Sequence, residues 1–138
     1  MRLPCIVGVA DAKIDERGCV SKDSSVLSIQ KDCANQALSE SGLSFSDIDG
    51  LAVAGLWGMP GPGVMQPNVL TEYLGISYPK WLDGTNTGGS AFIFHLHHAY
   101  YAIKNNLCNN VLILYGSTQK SNKERNFLDR PAVFSSQF

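Results

Sequence analysis

Continuous apolar runs alternate along this chain with segments in which apolar positions return every three or four residues. The run "LPCIVGVA" (Leu3 to Ala10) has the pattern of a buried strand. After a polar stretch with Gly18, Ser24 and Ser25 offer caps for a helix whose stripe is Val26, Ile29, Cys33 and Ala37. Gly42 stops it. "FSDIDGLAVAGLW" predicts a turn and a second strand from about Gly50 to Leu56. "GMPGPG" (Gly58 to Gly63) can continue neither element and predicts a loop, with Trp57 and Met59 as apolar contacts at its edge. A short helix follows over Val69 to Leu74, closed by Gly75. "YPKWLDG" predicts a third, short strand, Ser90 to Asn105 a long helix, and Asn109 to Gly116 a fourth strand.

Strand and helix alternate, and the strands are apolar throughout. That pattern predicts an α/β fold with a mostly parallel sheet, helices on both faces and right-handed crossovers. The long helix is unusual. "AFIFHLHHAYYAIK" is apolar on nearly every side, and such a helix is buried all round. Four strands and three helices do not supply a second covering layer. The expectation is therefore one buried central helix, covered by a second half of the protein, by a partner, or by both. From residue 121 the chain turns polar and then ends on Pro131, Val133, Phe134 and Phe138 without a closing element. The organisation expected is a half-domain over residues 1–120 and a loop region over 121–138 that opens a longer protein.

Charge removes several function classes. The 11 Lys and Arg and 12 Asp and Glu give a net charge of −1 and lie scattered, so there is no basic stripe for nucleic acid and no polybasic membrane surface. No apolar run reaches spanning length, and the opening residues lack a cleavage pattern. Cys5, Cys19, Cys33 and Cys108 have neither zinc-knuckle nor redox-pair spacing, so no metal site is expected. Cys5 and Cys33 read as small buried hydrophobes. The thiols fit a reducing compartment: the cytoplasm first, with peroxisome or mitochondrion open if the source is eukaryotic.

Gly88, Gly89 and Ser90 stand directly before the long helix. Glycines let a backbone approach a ligand, and a helix N-terminus offers unpaired N–H groups and a positive dipole end, where an oxyanion or thiolate is favoured. A tight strand-to-helix turn with Ser90 as N-cap is the plainer alternative, and spacing leaves both open.

Four stretches carry a resemblance: "IVGVADAK", "ALSESGLSFSDIDGLAVAG", "LTEYLGISYPKW" and "NTGGSAFIFHLHHAYYAIKNNLCNNVLILYGSTQKS". In this order, over most of residues 4–120, the chain resembles the N-terminal half of a thiolase-superfamily protein, most closely the sterol-carrier-protein-x or lipid-transfer thiolase-like branch. The resemblance implies two stacked halves, a central helix buried between two sheets, a dimeric or tetrameric enzyme, and coenzyme A thioesters as substrates, with no bound cofactor. It also places the family's nucleophilic cysteine at Gly89, beside Ser90. Neither is cysteine, and the family's activating histidine and second cysteine belong to the later half. The chain is therefore not expected to run thiolase chemistry alone. Relatives without the cysteine either cleave carbon–carbon bonds by retro-aldol chemistry or are non-catalytic.

His95 and His98 share one face of the long helix while His97 points elsewhere. Two ligands without a third make a poor metal site, so these histidines are expected to be hydrogen-bonded across a helix or subunit contact. Tyr100 and Tyr101 read as core residues with paired hydroxyls. The lysines and arginines of "DAKIDERG" and "QKSNKER" could meet a coenzyme A phosphate but read more simply as solvated surface. The expected function is acyl transfer or carbon–carbon cleavage on acyl-CoA in lipid or sterol side-chain metabolism, with Gly88, Gly89 and Ser90 as substrate-binding residues. The rival is a non-catalytic assembly or regulatory subunit. Either would form homo- or hetero-oligomers through the sheet edge and the buried helix.

Overall fold

The computed structural model describes residues 2–57, 66–118, 120 and 121. Helix α1 spans Val26–Ser41. It starts where the sequence places a cap: Ser25 Oγ accepts the Ser28 N–H at 3.0 Å and Ser28 Oγ accepts the Ser25 N–H at 2.9 Å, a reciprocal box that satisfies two otherwise orphaned donors. It ends at Gly42, whose φ of 71° is left-handed, while the Leu43 N–H reaches back to the Leu38 carbonyl at 3.0 Å. Strand β1 (Gly50–Trp57), helix α2 (Gln66–Leu74), strand β2 (Trp81–Asp83), helix α3 (Ala91–Lys104) and strand β3 (Val111–Ser117) follow. The sheet order is β2-β1-β3 and both pairings are parallel, with Gly50 beside Trp81 on one side and Val111 on the other.

Alternation along the strands divides the packing. Leu51, Val53, Leu112 and Leu114 face α1 and α2 and join Val26, Ala34, Leu38, Leu70 and Leu74 in the apolar core. Ala52 and Ala54 turn to the opposite face, where α3 lies on β1 and β3 through Ala91, His95, Ala99 and Ala102. Small residues on both partners allow this close approach. The α/β architecture with helices on both faces of a parallel sheet is thus present.

Leu3–Ala10 differs from its expectation. It is not a strand, and its apolar side chains are exposed, Leu3 at 79% and Val9 at 70%. The segment lies instead against α1, where a Cβ on Gly8 would stand 2.1 Å from the Ala37 carbonyl oxygen and the Val9 N–H donates to Glu40 Oε2 at 2.7 Å. Cys5 is accordingly exposed and Cys33 half-buried, not core. Three strands, not four, form the sheet among the described residues.

α3 also departs from its expectation. Its sheet face is buried, but Phe92, Ile93, Phe94, Leu96 and Tyr101 are exposed, Ile93 at 55%. The described residues therefore supply only one of the two covers that its sequence demands, and Tyr101 is not a core residue here. The expectations for Gly58–Gly63 with Met59, for the Trp57 side chain and for the tail beyond Ser121 lie outside the described residues.

Candidate functional site

Parallel strands bring their C-terminal ends to one side of a sheet, the side on which α/β proteins bind ligands. Here that side carries the end of β2 and the start of α3. From Asp83 the chain passes through Gly84–Thr87 into a short 3-10 turn, Gly88–Ser90, that feeds α3. Gly88 has φ of 75°, so the turn needs glycine there. A Cβ added at Gly88 or Gly89 would meet nothing within 4 Å, so the backbone borders open space.

Asn86 Oδ1 accepts the Gly88 N–H at 3.2 Å, and the Ala91 N–H donates to the Gly88 carbonyl. Ser90 is not the side-chain cap that its position suggests: its hydroxyl donates back to the Thr87 carbonyl at 3.3 Å. The N-terminus of the 14-residue α3 is consequently left without a side-chain acceptor, and its positive end faces the open side of the turn.

Two histidines hold the loop that leads into this turn. His95, fully buried, bonds through Nε2 to the Thr85 carbonyl at 2.8 Å. His98 bonds through Nδ1 to Asp83 Oδ2 at 2.6 Å, while Asp83 Oδ1 accepts the Thr85 N–H at 2.8 Å. Burial works against the Asp83 charge, but the hydrogen bonds from Thr85 and His98 and the nearby His95 outweigh it and hold the carboxyl below its ordinary value. The histidines do share a face as their spacing requires, but their partners are a loop rather than a second helix. Asp83 and Thr85 escaped the sequence reading, because one carbonyl and one strand-end carboxylate leave no periodic signal.

No thiol reaches this turn. Cys108 lies just before β3, at the opposite end of the sheet, 2% exposed. Burial first, with Asp49 nearby, pushes its thiol up to about 11. Cys19 lies beside Lys120, its Sγ 3.7 Å from the Lys120 carbonyl oxygen. That contact shows where the two basic stretches go. "DAKIDERG" and the start of "QKSNKER" come together around a cavity of about 770 Å³ lined by Asp15, Arg17, Lys22, Thr118, Lys120 and Ser121, among others, with Val20 N–H on Ser121 Oγ at 2.9 Å. Among the described residues no three His, Cys, Asp or Glu side chains converge as metal ligands, and no helix is long and apolar enough to cross a membrane.

No protein-family model matches the sequence, and no curated protein matches it either. Solved structures do match in fold. The 3-oxoacyl-[acyl-carrier-protein] synthase III of Aquifex aeolicus is 21% identical with a TM-score of 0.63, over 78% of this chain and 34% of that one. An OleA variant of Xanthomonas campestris with bound lauric acid and lauroyl-CoA is 16% identical with a TM-score of 0.65, over 78% of this chain and 42% of that one. The Ltp2-ChsH2(DUF35) aldolase is 19% identical with a TM-score of 0.68, over 92% of this chain and 30% of that one. The chain spans less than half the length of each. Its fold is that of a thiolase-like α/β half-domain.

Proposed function

We propose that this chain is the acyl-CoA-facing half of a thiolase-like protein of the sterol-carrier-protein-x kind, acting in acyl transfer or carbon–carbon cleavage on lipid or sterol side chains. The observation that carries the reading is the Gly88–Ser90 turn, open at Gly88 and Gly89 and set at the N-terminus of a long helix. The Gly89 N–H would donate to the thioester oxygen, and the helix dipole would favour the charge that builds on it. The likeness to structures that include an OleA variant holding lauroyl-CoA and an aldolase supports the substrate class.

The chain does not act as a nucleophile in this account. The position that resembles the family's cysteine is Gly89, and a serine such as Ser90 needs an adjacent base, whereas its hydroxyl bonds to the Thr87 carbonyl. The catalytic groups would come from residues outside this sequence. Titrating the full chain with a non-hydrolysable acyl-CoA thioether tests the reading. Saturable binding that Gly89→Val weakens at least tenfold supports it; binding equally strong in the variant refutes the role of the turn.

The exposed apolar face of α3 favours a second reading, a non-catalytic subunit assembling with a complete thiolase-like chain. That reading predicts capture of such a chain together with no acyl-CoA binding by this one.

A further inference from the structure

The loop that carries the Gly88–Ser90 turn is tied down by two imidazoles, and the geometry fixes which nitrogen of each bears its proton. His98 Nδ1 lies 2.6 Å from Asp83 Oδ2, and an ionised carboxylate only accepts. In its neutral form His98 is therefore the Nδ1–H tautomer, and an imidazolium would donate from the same nitrogen. His95 Nε2 lies 2.8 Å from the Thr85 carbonyl oxygen, which also only accepts, so in its neutral form His95 is the Nε2–H tautomer. Among the described residues the other nitrogen of His95 is buried without a partner, which leaves the Thr85 bond as the one hydrogen bond of a fully buried ring. Asp83 closes the circuit by taking the Thr85 N–H on its second oxygen. Thr85 is thus held at both its N–H and its carbonyl, three residues before Gly88.

We propose that His95 and His98 are paired positioning residues of opposite tautomer, whose grip on Thr85 and Asp83 sets where the Gly88–Ser90 backbone stands. The proposal rests on the reading of that turn as the acyl-CoA site for its consequence, but not for its existence. Their hydrogen bonds go to Thr85 and Asp83, so both act on the turn through the loop. This grip also accounts for two imidazoles one turn apart on one face of α3.

The chemistry predicts a crossed pattern of rescue. An asparagine places its amide N–H near the Nδ1 position of histidine, and a glutamine places its own near Nε2. His98→Asn should keep the bond to Asp83 and His98→Gln should lose it. His95→Gln should keep the bond to Thr85 and His95→Asn should lose it.

The experiment uses the full chain, isotope-labelled, in two arms. In the wild-type protein at alkaline pH, where imidazole is neutral, nitrogen NMR of the histidine rings should show protonation at Nδ1 in His98 and at Nε2 in His95. The same tautomer in both rings overturns the proposal without any variant having to fold. In the second arm, hydrogen exchange of the amides over 84–90 should quicken about tenfold or more in His98→Gln, with His98→Asn close to wild type. His98 is half-exposed, so these variants leave the core untouched. Equal exchange in the two variants also overturns it. Titration with the acyl-CoA thioether then separates the two ideas: the tautomers and the exchange pattern without any binding sink the proposed function and leave the positioning intact, while binding with equal exchange does the reverse.

Discussion

Asn109 stands 60 residues beyond Asp49 in the chain, yet it donates both its backbone N–H, at 2.7 Å, and its side-chain amide, at 2.9 Å, to the Asp49 carboxylate. The Asn110 N–H at 2.9 Å and the Lys80 ammonium at 3.0 Å complete the set. One side chain thus fastens the start of β1 to the approaches of β2 and β3, at the end of the sheet opposite the glycine turn.

Removing that carboxylate should loosen all three strands together. Asp49→Ala leaves two backbone N–H groups, the Asn109 side-chain amide and an ammonium without their acceptor, and hydrogen bonds to a charged group are worth about 1.5–3 kcal/mol each. A loss of about 2–4 kcal/mol of unfolding free energy is expected, measured by urea denaturation.

Acid should show the same tie. Burial opposes the Asp49 charge, but Asn110, Asn109 and Lys80 outweigh it, so the carboxyl lies below its ordinary value of 3.8, and Asp83 is lowered as well. A depressed folded value means stability that is present above the unfolded value and lost as pH falls through the folded one. Stability should therefore drop below about pH 4, and Asp49→Asn should flatten that drop. Identical acid profiles for the two proteins would contradict it.

The cysteines should separate by reactivity. Cys108 is buried with its thiol raised to about 11, whereas Cys5 is exposed on the Leu3–Ala10 segment. Iodoacetamide at neutral pH should label Cys5 in the folded chain and reach Cys108 only after unfolding. Peptide mass mapping reads the order directly.

Much of the fold was legible because local signals agreed with it. Ser25 before an apolar stripe and Gly42 after it marked α1 at both ends, and Gly75 closed α2. Leu3–Ala10 misled for a tertiary reason: its residues suit a strand, but Gly8 sits against the α1 backbone and the Val9 N–H goes to Glu40 rather than to a strand. The glycine turn could be found from "TNTGGS" as a break before a helix. Its supports could not, since Asp83 and Thr85 contribute one carboxylate and one peptide group that no period reveals. The apolarity of α3 predicted burial on every side, whereas the described residues cover one face and leave Phe92, Ile93, Phe94 and Leu96 exposed.

The two glycines of the turn should respond differently to substitution. Gly88→Ala forces a side chain into left-handed backbone at φ of 75° and should cost about 1 kcal/mol. Gly89→Ala meets open space without that strain and should stay within about 0.5 kcal/mol of wild type. Thermal unfolding of both variants checks the contrast.

Truncating the core where it is fully enclosed should cost more than either. Leu51 lies in the central strand with no exposed surface, and Leu51→Ala should lose about 2–5 kcal/mol. Ile93→Ala, on the uncovered face of α3, should be nearly neutral in the isolated chain.

The most direct test of the central claim is amide chemical-shift mapping of the labelled full chain during titration with a non-hydrolysable acyl-CoA thioether. Saturable shifts centred on Gly88, Gly89 and Ser90 are expected, abolished by Gly89→Val in a protein that remains folded. Shifts confined to other surfaces, or none at saturating ligand, would contradict it.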